Sequence, residues 1–143
     1  MKKIFLDGNV LISVLNKELP VFNYSSRVLS LAGSKQFKLY SSPTCFSIAY
    51  YFASKKSGTV KAREKIVLIG EHIFTAVSTE TDVQTVAKNK KIKDFEDGLA
   101  YMAAIHTGCH CIVTEDTKDY YFSEIEVLNC KRFLEKYVLP LNQ

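Results

Sequence analysis

Apolar and polar positions along the chain follow two rhythms, and the switches between them mark the elements. Ile4, Phe5 and Leu6 form a continuous apolar run, the mark of a short buried strand over residues 3–6. Val10, Leu11, Val14 and Leu15 then recur at helical spacing, predicting a helix over 10–16, with Pro20 blocking any continuation. Phe22, Val28, Leu29 and Ala32 predict a second helix over 21–32, closed by Gly33. Phe37–Ser41 is a second strand, and Ser42-Pro43 is a capping serine followed by a proline suited to the first helical position. The helix it opens runs through Cys45, Phe46, Ile48, Ala49, Tyr50 and Phe52 and stops before Ser57-Gly58. It is apolar almost all round, so burial on more than one side is expected.

Thr59–Gly70 is a helix with Lys61, Arg63, Glu64 and Lys65 on a charged face, and 73–77 is a third strand. Ser78 or Thr79 caps the next helix, with Glu80 and Asp82 in its first turn, where the helix dipole favours acids. A lysine-rich loop, 88–93, leads to Asp94, which opens a helix through Leu99, Ala100, Met102, Ala103, Ala104 and Ile105 to Gly108. The pattern closes with a fourth strand over 109–114, a loop holding Lys118, Asp119 and Tyr120, a short strand Glu126–Leu128 and a helix over 131–137. Strands alternating with helices imply an α/β fold, a parallel sheet with helices on both faces.

At 143 residues, one domain spanning 1–143 is expected. A hydrophobic fraction of 47% against 24% charged residues is that of a soluble globular protein. The apolar stretch after Lys2 and Lys3 is broken by Asp7, which argues against a secretory signal, and no run is long enough to span a bilayer. A cytoplasmic location is expected. The net charge of +4 suits a polyanionic partner without requiring one. Its positive charge gathers at Lys88, Lys90, Lys91 and Lys93, a run that by itself reads as a solvated loop. Cys109-His110-Cys111 lacks the second ligand pair of a structural zinc site, and Cys109, Cys111 and Val113 alternate as on a buried strand.

The candidate chemistry lies in the acids. Asp7 and Asp116 each stand at the carboxyl end of a predicted strand, where open α/β sheets bind ligands. Asp94 and Asp97 share one face at the start of a helix. Each acid could simply cap a helix or turn. If the first and fourth strands are neighbours, however, the acids meet. Carboxylates so close repel one another and require raised pKa values or a cation. Oxygen ligands suit Mg²⁺ or Mn²⁺, which can polarise a phosphoryl oxygen and activate water.

Three stretches resemble the motifs of PIN-domain ribonucleases. Phe5-Leu6-Asp7-Gly8-Asn9-Val10-Leu11-Ile12 is similar to the family's opening motif. Asp94-Phe95-Glu96-Asp97-Gly98-Leu99-Ala100 is similar to its third acidic motif, and Ile112-Val113-Thr114-Glu115-Asp116-Thr117-Lys118-Asp119-Tyr120 to its fourth. The resemblance covers nearly the whole chain. It implies a three-layer α/β/α sandwich on a five-stranded parallel sheet of order 3-2-1-4-5, which would set the first strand beside the fourth. It also implies an endoribonuclease dependent on Mg²⁺ or Mn²⁺. Asp7, Asp97 and Asp116 would be the catalytic, metal-binding acids, Asn9 and Thr114 would orient them, and Asp94 and Asp119 would assist. Small members resemble VapC toxins of type II toxin–antitoxin pairs, so an RNA substrate, an antitoxin partner and a homodimer are expected.

Two departures stand out. Gly8 occupies the place of the family's usual Thr or Ser. The acid expected near Ser47 or Ile48 is missing, and no acid occurs from Lys35 to Arg63. A PIN-like domain that binds RNA or a partner protein with little or no catalysis is therefore the alternative. Asp7 also resembles the nucleophile of haloacid-dehalogenase-like phosphatases, but that family places a second Asp where this chain has Asn9. Tyr120 and Tyr121, beside the acids, are the aromatic candidates for substrate contact, ahead of the Tyr50-Tyr51-Phe52 cluster.

Overall fold

In a computed structural model of the chain, which describes residues 1–142, five parallel strands form one sheet of order β3-β2-β1-β4-β5. The strands are β1 (Lys2–Leu6), β2 (Phe37–Ser41), β3 (Phe74–Thr75), β4 (Cys111–Val113) and β5 (Glu126–Leu128). The helices are α1 (Gly8–Leu15), α2 (Phe22–Ser30), α3 (Pro43–Ser57), α4 (Thr59–Gly70), α5 (Glu80–Lys88), α6 (Phe95–Thr107) and α7 (Cys130–Phe133). Connections from β1 to β2 to β3 step one way along the sheet, and those from β3 to β4 to β5 step back past β1. Right-handed crossovers place the two sets of helices on opposite faces, the α/β/α sandwich that the resemblance implies. The order reverses between β1 and β4, and the carboxyl ends of those strands flank the crevice where such sheets bind ligands. No helix among the described residues is long and apolar enough to cross a membrane.

The core follows from the apolar runs. Ile4, Phe5, Leu6, Leu39, Ile112 and Val113 are fully buried in the three central strands, each worth about 1.5–3 kcal/mol relative to exposure. All four cysteines are free and buried. Burial pushes the Cys109 and Cys111 thiols up to about 12, as for neutral groups packed in the core.

Local signals place most boundaries. Ser42 accepts a hydrogen bond from the Cys45 amide at 3.2 Å, which starts α3 with Pro43 in its first turn. Thr79 and Asp82 form a reciprocal capping box at the start of α5. Gly108 ends α6 at φ 76°, a conformation that a Cβ would strain. Gly98 lets α6 approach α5: a Cβ there would lie 2.4 Å from Val86 Cγ1.

Several expectations are corrected. The second helix closes in a 3-10 turn, Leu31–Gly33, without a left-handed glycine. α3 is buried along one line only, Cys45, Ala49 and Ala53 at four-residue spacing, while Tyr51 and Phe52 are exposed. The strand expected over 73–77 pairs only at Phe74 and Thr75, because it is an edge strand against the end of β2. The closing helix leaves α geometry after Phe133 and continues as a π-helical stretch, Leu134–Val138.

Candidate functional site

Asp7 follows the last residue of β1, and its backbone still belongs to the sheet: its amide donates to the Val113 carbonyl at 3.0 Å. Leu6 pairs with Val113, so Asp7 and Thr114 leave their strands side by side. The Thr114 hydroxyl donates to Asp7 Oδ2 at 2.8 Å, and the Gly8 amide donates to Oδ1 at 2.8 Å. Asp7 is thus both the cap of α1 and a member of the sheet edge.

Asn9 ties the two ends together. Its Nδ2 donates to Thr114 Oγ1 at 3.0 Å and to Asp116 Oδ2 at 3.1 Å, and its Oδ1 accepts from the Glu115 amide at 3.1 Å. The Asp116 amide donates to Thr114 Oγ1 at 3.1 Å. Thr114 therefore receives two hydrogen bonds and spends its proton on Asp7. The network holds the β1 and β4 loops in register although more than a hundred residues separate them.

Asp94 caps α6 by accepting from the Asp97 amide at 3.0 Å. Asp97, one turn further, is half-buried. Burial, then the negative charges of Asp94, Asp7, Asp119 and Asp116, push its carboxyl up to about 7. All five acids therefore share one electrostatic neighbourhood, with Asp94, Asp116 and Asp119 exposed at its rim. Asp7 is shifted upward by burial, which outweighs the hydrogen bonds from Thr114 and Gly8. Among the described residues, no Lys, Arg or His forms an ion pair with Asp7 or Asp97.

Two side chains that the sequence reading passed over, or read otherwise, complete the surroundings. The Cys45 thiol, in the first turn of α3, lies 3.7 Å from Asp7 Oδ1, and burial followed by the Asp7 charge pushes it up to about 12. The Ser42-Pro43 start of α3 is the signal that could have located it, since it aims that first turn at the end of β1. Tyr120 is 2% exposed, so it is not available to stack on a substrate, and the expectation that it contacts one is corrected. Its hydroxyl lies near enough to Asp7 to favour the carboxylate, yet it makes no hydrogen bond of standard geometry. Tyr121 is exposed. Ile48 approaches the Gly8 position, its Cγ2 lying 3.7 Å from where a Cβ on Gly8 would sit, and Ser47 faces solvent. An apolar group thus stands where the resemblance calls for a further acid.

The donor set is all oxygen and short of positive charge, and an orphaned buried hydroxyl adjoins it. Both features fit a hard divalent cation with part of its water shell. Among the described residues, no three His, Cys, Asp or Glu side chains form a ready-made cage for an ion.

A profile of the PIN domain family matches residues 3–118. Ribonuclease VapC1 of Aquifex aeolicus is 30% identical over 139 residues, covering 95% of this chain and 96% of that protein. Among solved structures, VapBC-1 from nontypeable Haemophilus influenzae superposes with a TM-score of 0.68 at 14% identity, covering 90% of this chain and 98% of that one. VapBC2 from Rickettsia felis, bound to a DNA fragment from their promoter, gives 0.67 at 17% identity, with 89% and 98% covered. The sarcin–ricin loop cleaving toxin VapC20 of Mycobacterium tuberculosis gives 0.61 at 12% identity, with 76% and 86% covered. With its sheet order, the acids at its switch point and a full-length ribonuclease relative, the chain belongs to the PIN-domain family.

Proposed function

We propose that this protein is an endoribonuclease that hydrolyses RNA phosphodiester bonds with the help of Mg²⁺ or Mn²⁺, and that it acts as the toxin of a type II toxin–antitoxin pair. Asp7, Asp97 and Asp116 would hold the ion, with Asp94 and Asp119 lending charge at the rim. When bound, the ion supplies Lewis acidity toward a phosphoryl oxygen and toward water. The protein's part is positioning. Thr114 and the Gly8 amide fix both oxygens of Asp7, and Asn9 holds Asp116 against the same hydroxyl. Burial and the surrounding acids raise the affinity of Asp97 for a proton, and the same crowding of carboxyl groups would favour a cation held among them. The observation that carries this reading is the coupling of Asp97 to four other acids around a buried, unpaired Asp7.

Asp7→Asn tests it. The variant should fold as the wild type does and lose Mn²⁺-dependent cleavage of RNA and growth inhibition together. Cleavage at the wild-type rate would remove Asp7 from the chemistry and the assignment with it. An antitoxin partner is supported by the VapBC assemblies among the structural relatives, and a second copy of the chain is the expected oligomer. Co-expression with the product of an adjacent small reading frame should relieve toxicity.

One observation favours the second reading, an RNA- or protein-binding domain with little catalysis. Ile48 stands beside Gly8 where a further acid is expected, which lowers the number of metal ligands. Calorimetric titration with Mn²⁺ separates the two, because a site that has lost its metal gives no binding heat and no RNA turnover at any concentration of the ion.

A further inference from the structure

The lysine run that reads as a solvated loop is held in place. The Ile92 amide donates to the Asn89 carbonyl at 3.1 Å and the Lys91 amide to Asn89 Oδ1 at 3.0 Å. The Tyr121 hydroxyl donates to the Lys91 carbonyl and accepts from the Lys93 amide at 3.2 Å. The turn therefore closes over a cavity of about 640 Å³ with Lys90, Lys91 and Lys93 at its rim and Tyr101, Phe122 and Tyr121 among its walls. Tyr121 is 56% exposed, and its ring stands edge-on to Phe122 at 5.5 Å and has Lys93 Nζ 6.0 Å from its centroid. Glu124 is the one acid among the lining residues.

Both walls of the cavity run directly into the acid pocket. Lys93 precedes Asp94, and Tyr121 follows the Thr117–Tyr120 turn that begins after Asp116. The pocket itself repels phosphate, since its acids outnumber any nearby cation, so attraction for a polyanion has to come from beside it. An exposed aromatic side chain with Lys93 against its ring and Lys90 and Lys91 lining the same cavity suits one unpaired nucleotide, with its base on the ring and its phosphate among the lysines. A base in a duplex cannot reach such a face, because it stays stacked.

We infer that the cavity between the Asn89–Lys93 turn and Tyr121 seats a nucleotide flanking the scissile one in single-stranded RNA. The inference rests on the ribonuclease reading above and adds where the substrate is gripped and which RNA conformation is selected.

The test is fluorescence anisotropy of a fluorescein-labelled single-stranded RNA in EDTA, so that binding is read without cleavage, with Mn²⁺-dependent cleavage measured in parallel. Tyr121→Ala should weaken binding by about tenfold or more, through loss of the stacking face. Tyr121→Phe keeps the ring and loses only the tether to Lys91, so it should bind within about twofold of wild type. Lys90→Gln and Lys93→Gln should each lower the slope of log affinity against log salt by about 0.7. If wild type cleaves and binds RNA but these variants bind equally well, the subsite is wrong and the ribonuclease reading stands. Equal losses in Tyr121→Phe and Tyr121→Ala would make the residue a loop tether and also overturn the subsite. Variants that lose an antitoxin but not RNA would make the cavity a protein interface instead. If wild type neither binds nor cleaves RNA, the ribonuclease reading falls first.

Discussion

Asp7 and Asp82 are both buried, and both hold the first turn of a helix, yet their charges have opposite fates. Burial pushes the Asp82 carboxyl up, but the Thr79 amide, the His106 imidazole and the Thr79 hydroxyl outweigh it and hold the group below the usual carboxylate range. At Asp7, burial wins over the hydrogen bonds from Thr114, Gly8 and Cys45 and over the nearby Tyr120 hydroxyl, and the neighbouring titratable groups, Asp97 among them, are acids. The difference is whether the fold places a basic side chain beside the carboxylate. At the α5–α6 contact it places the His106 imidazole there. At the end of β1 the fold withholds such a side chain, which is the arrangement expected of a group that receives a cation from solution.

The largest effects should divide these two regions by readout. Asp7→Asn should lower RNA cleavage by more than about a hundredfold, the upper range seen when groups merely supporting a metal ligand are removed. Asp82→Asn should cleave at close to the wild-type rate. Thermal melting should reverse the ranking. Losing the Asp82 box and its imidazole partner should cost about 1–3 kcal/mol, read as a melting point lower by several degrees. Asp7→Asn should cost less, because removing a buried unpaired charge offsets the lost cap bond. Equal effects of the two changes on both readouts would erase the distinction.

A divalent ion should sharpen the contrast. Mn²⁺ at roughly a hundred times its Kd should stabilise wild type by about 2.7 kcal/mol, reversed by EDTA. Asp82→Asn should keep that response, and Asp97→Asn should lose it. The smallest effect is on the pH profile of the metal-free protein. Asp97 binds its proton more tightly folded than unfolded, so its contribution is full below about pH 4 and is lost as the pH rises through about 7. Asp82 has the opposite sign: its contribution is present above about pH 4 and lost as the pH falls through its depressed value. Melting measured in EDTA should therefore be highest in mild acid, with the neutral limb flattened in Asp97→Asn and the acid limb in Asp82→Asn.

Much of this was legible before any coordinates. β2, α3, α4 and β5 begin and end where Ser42-Pro43, Ser57-Gly58 and the apolar runs put them, because caps and breakers act over a few residues. The misreadings concern packing. β3 shrinks to Phe74–Thr75 because this edge strand meets only the last two residues of β2, Tyr40 and Ser41. α3 leaves Tyr51 and Phe52 in solvent because composition cannot say which apolar face finds a partner. Tyr120 and Tyr121, adjacent and alike in type, separate into a buried neighbour of Asp7 and an exposed ring over the lysine turn.

The chain by itself determined the alternation of strand and helix, the capping of most helices and the placement of an acid at the end of β1 and just past β4. Hydrophobic periodicity and hydrogen bonding to the first turn are local, so a few neighbouring residues suffice. Only the tertiary structure decided that β1 lies against β4, that Asn9 reaches Asp116, and that the His106 imidazole meets Asp82 while, among the described residues, no Lys, Arg or His pairs with Asp7. A carboxylate's charge depends on burial and on groups brought within a few ångströms from anywhere in the chain, and that proximity exists only once the sheet has formed.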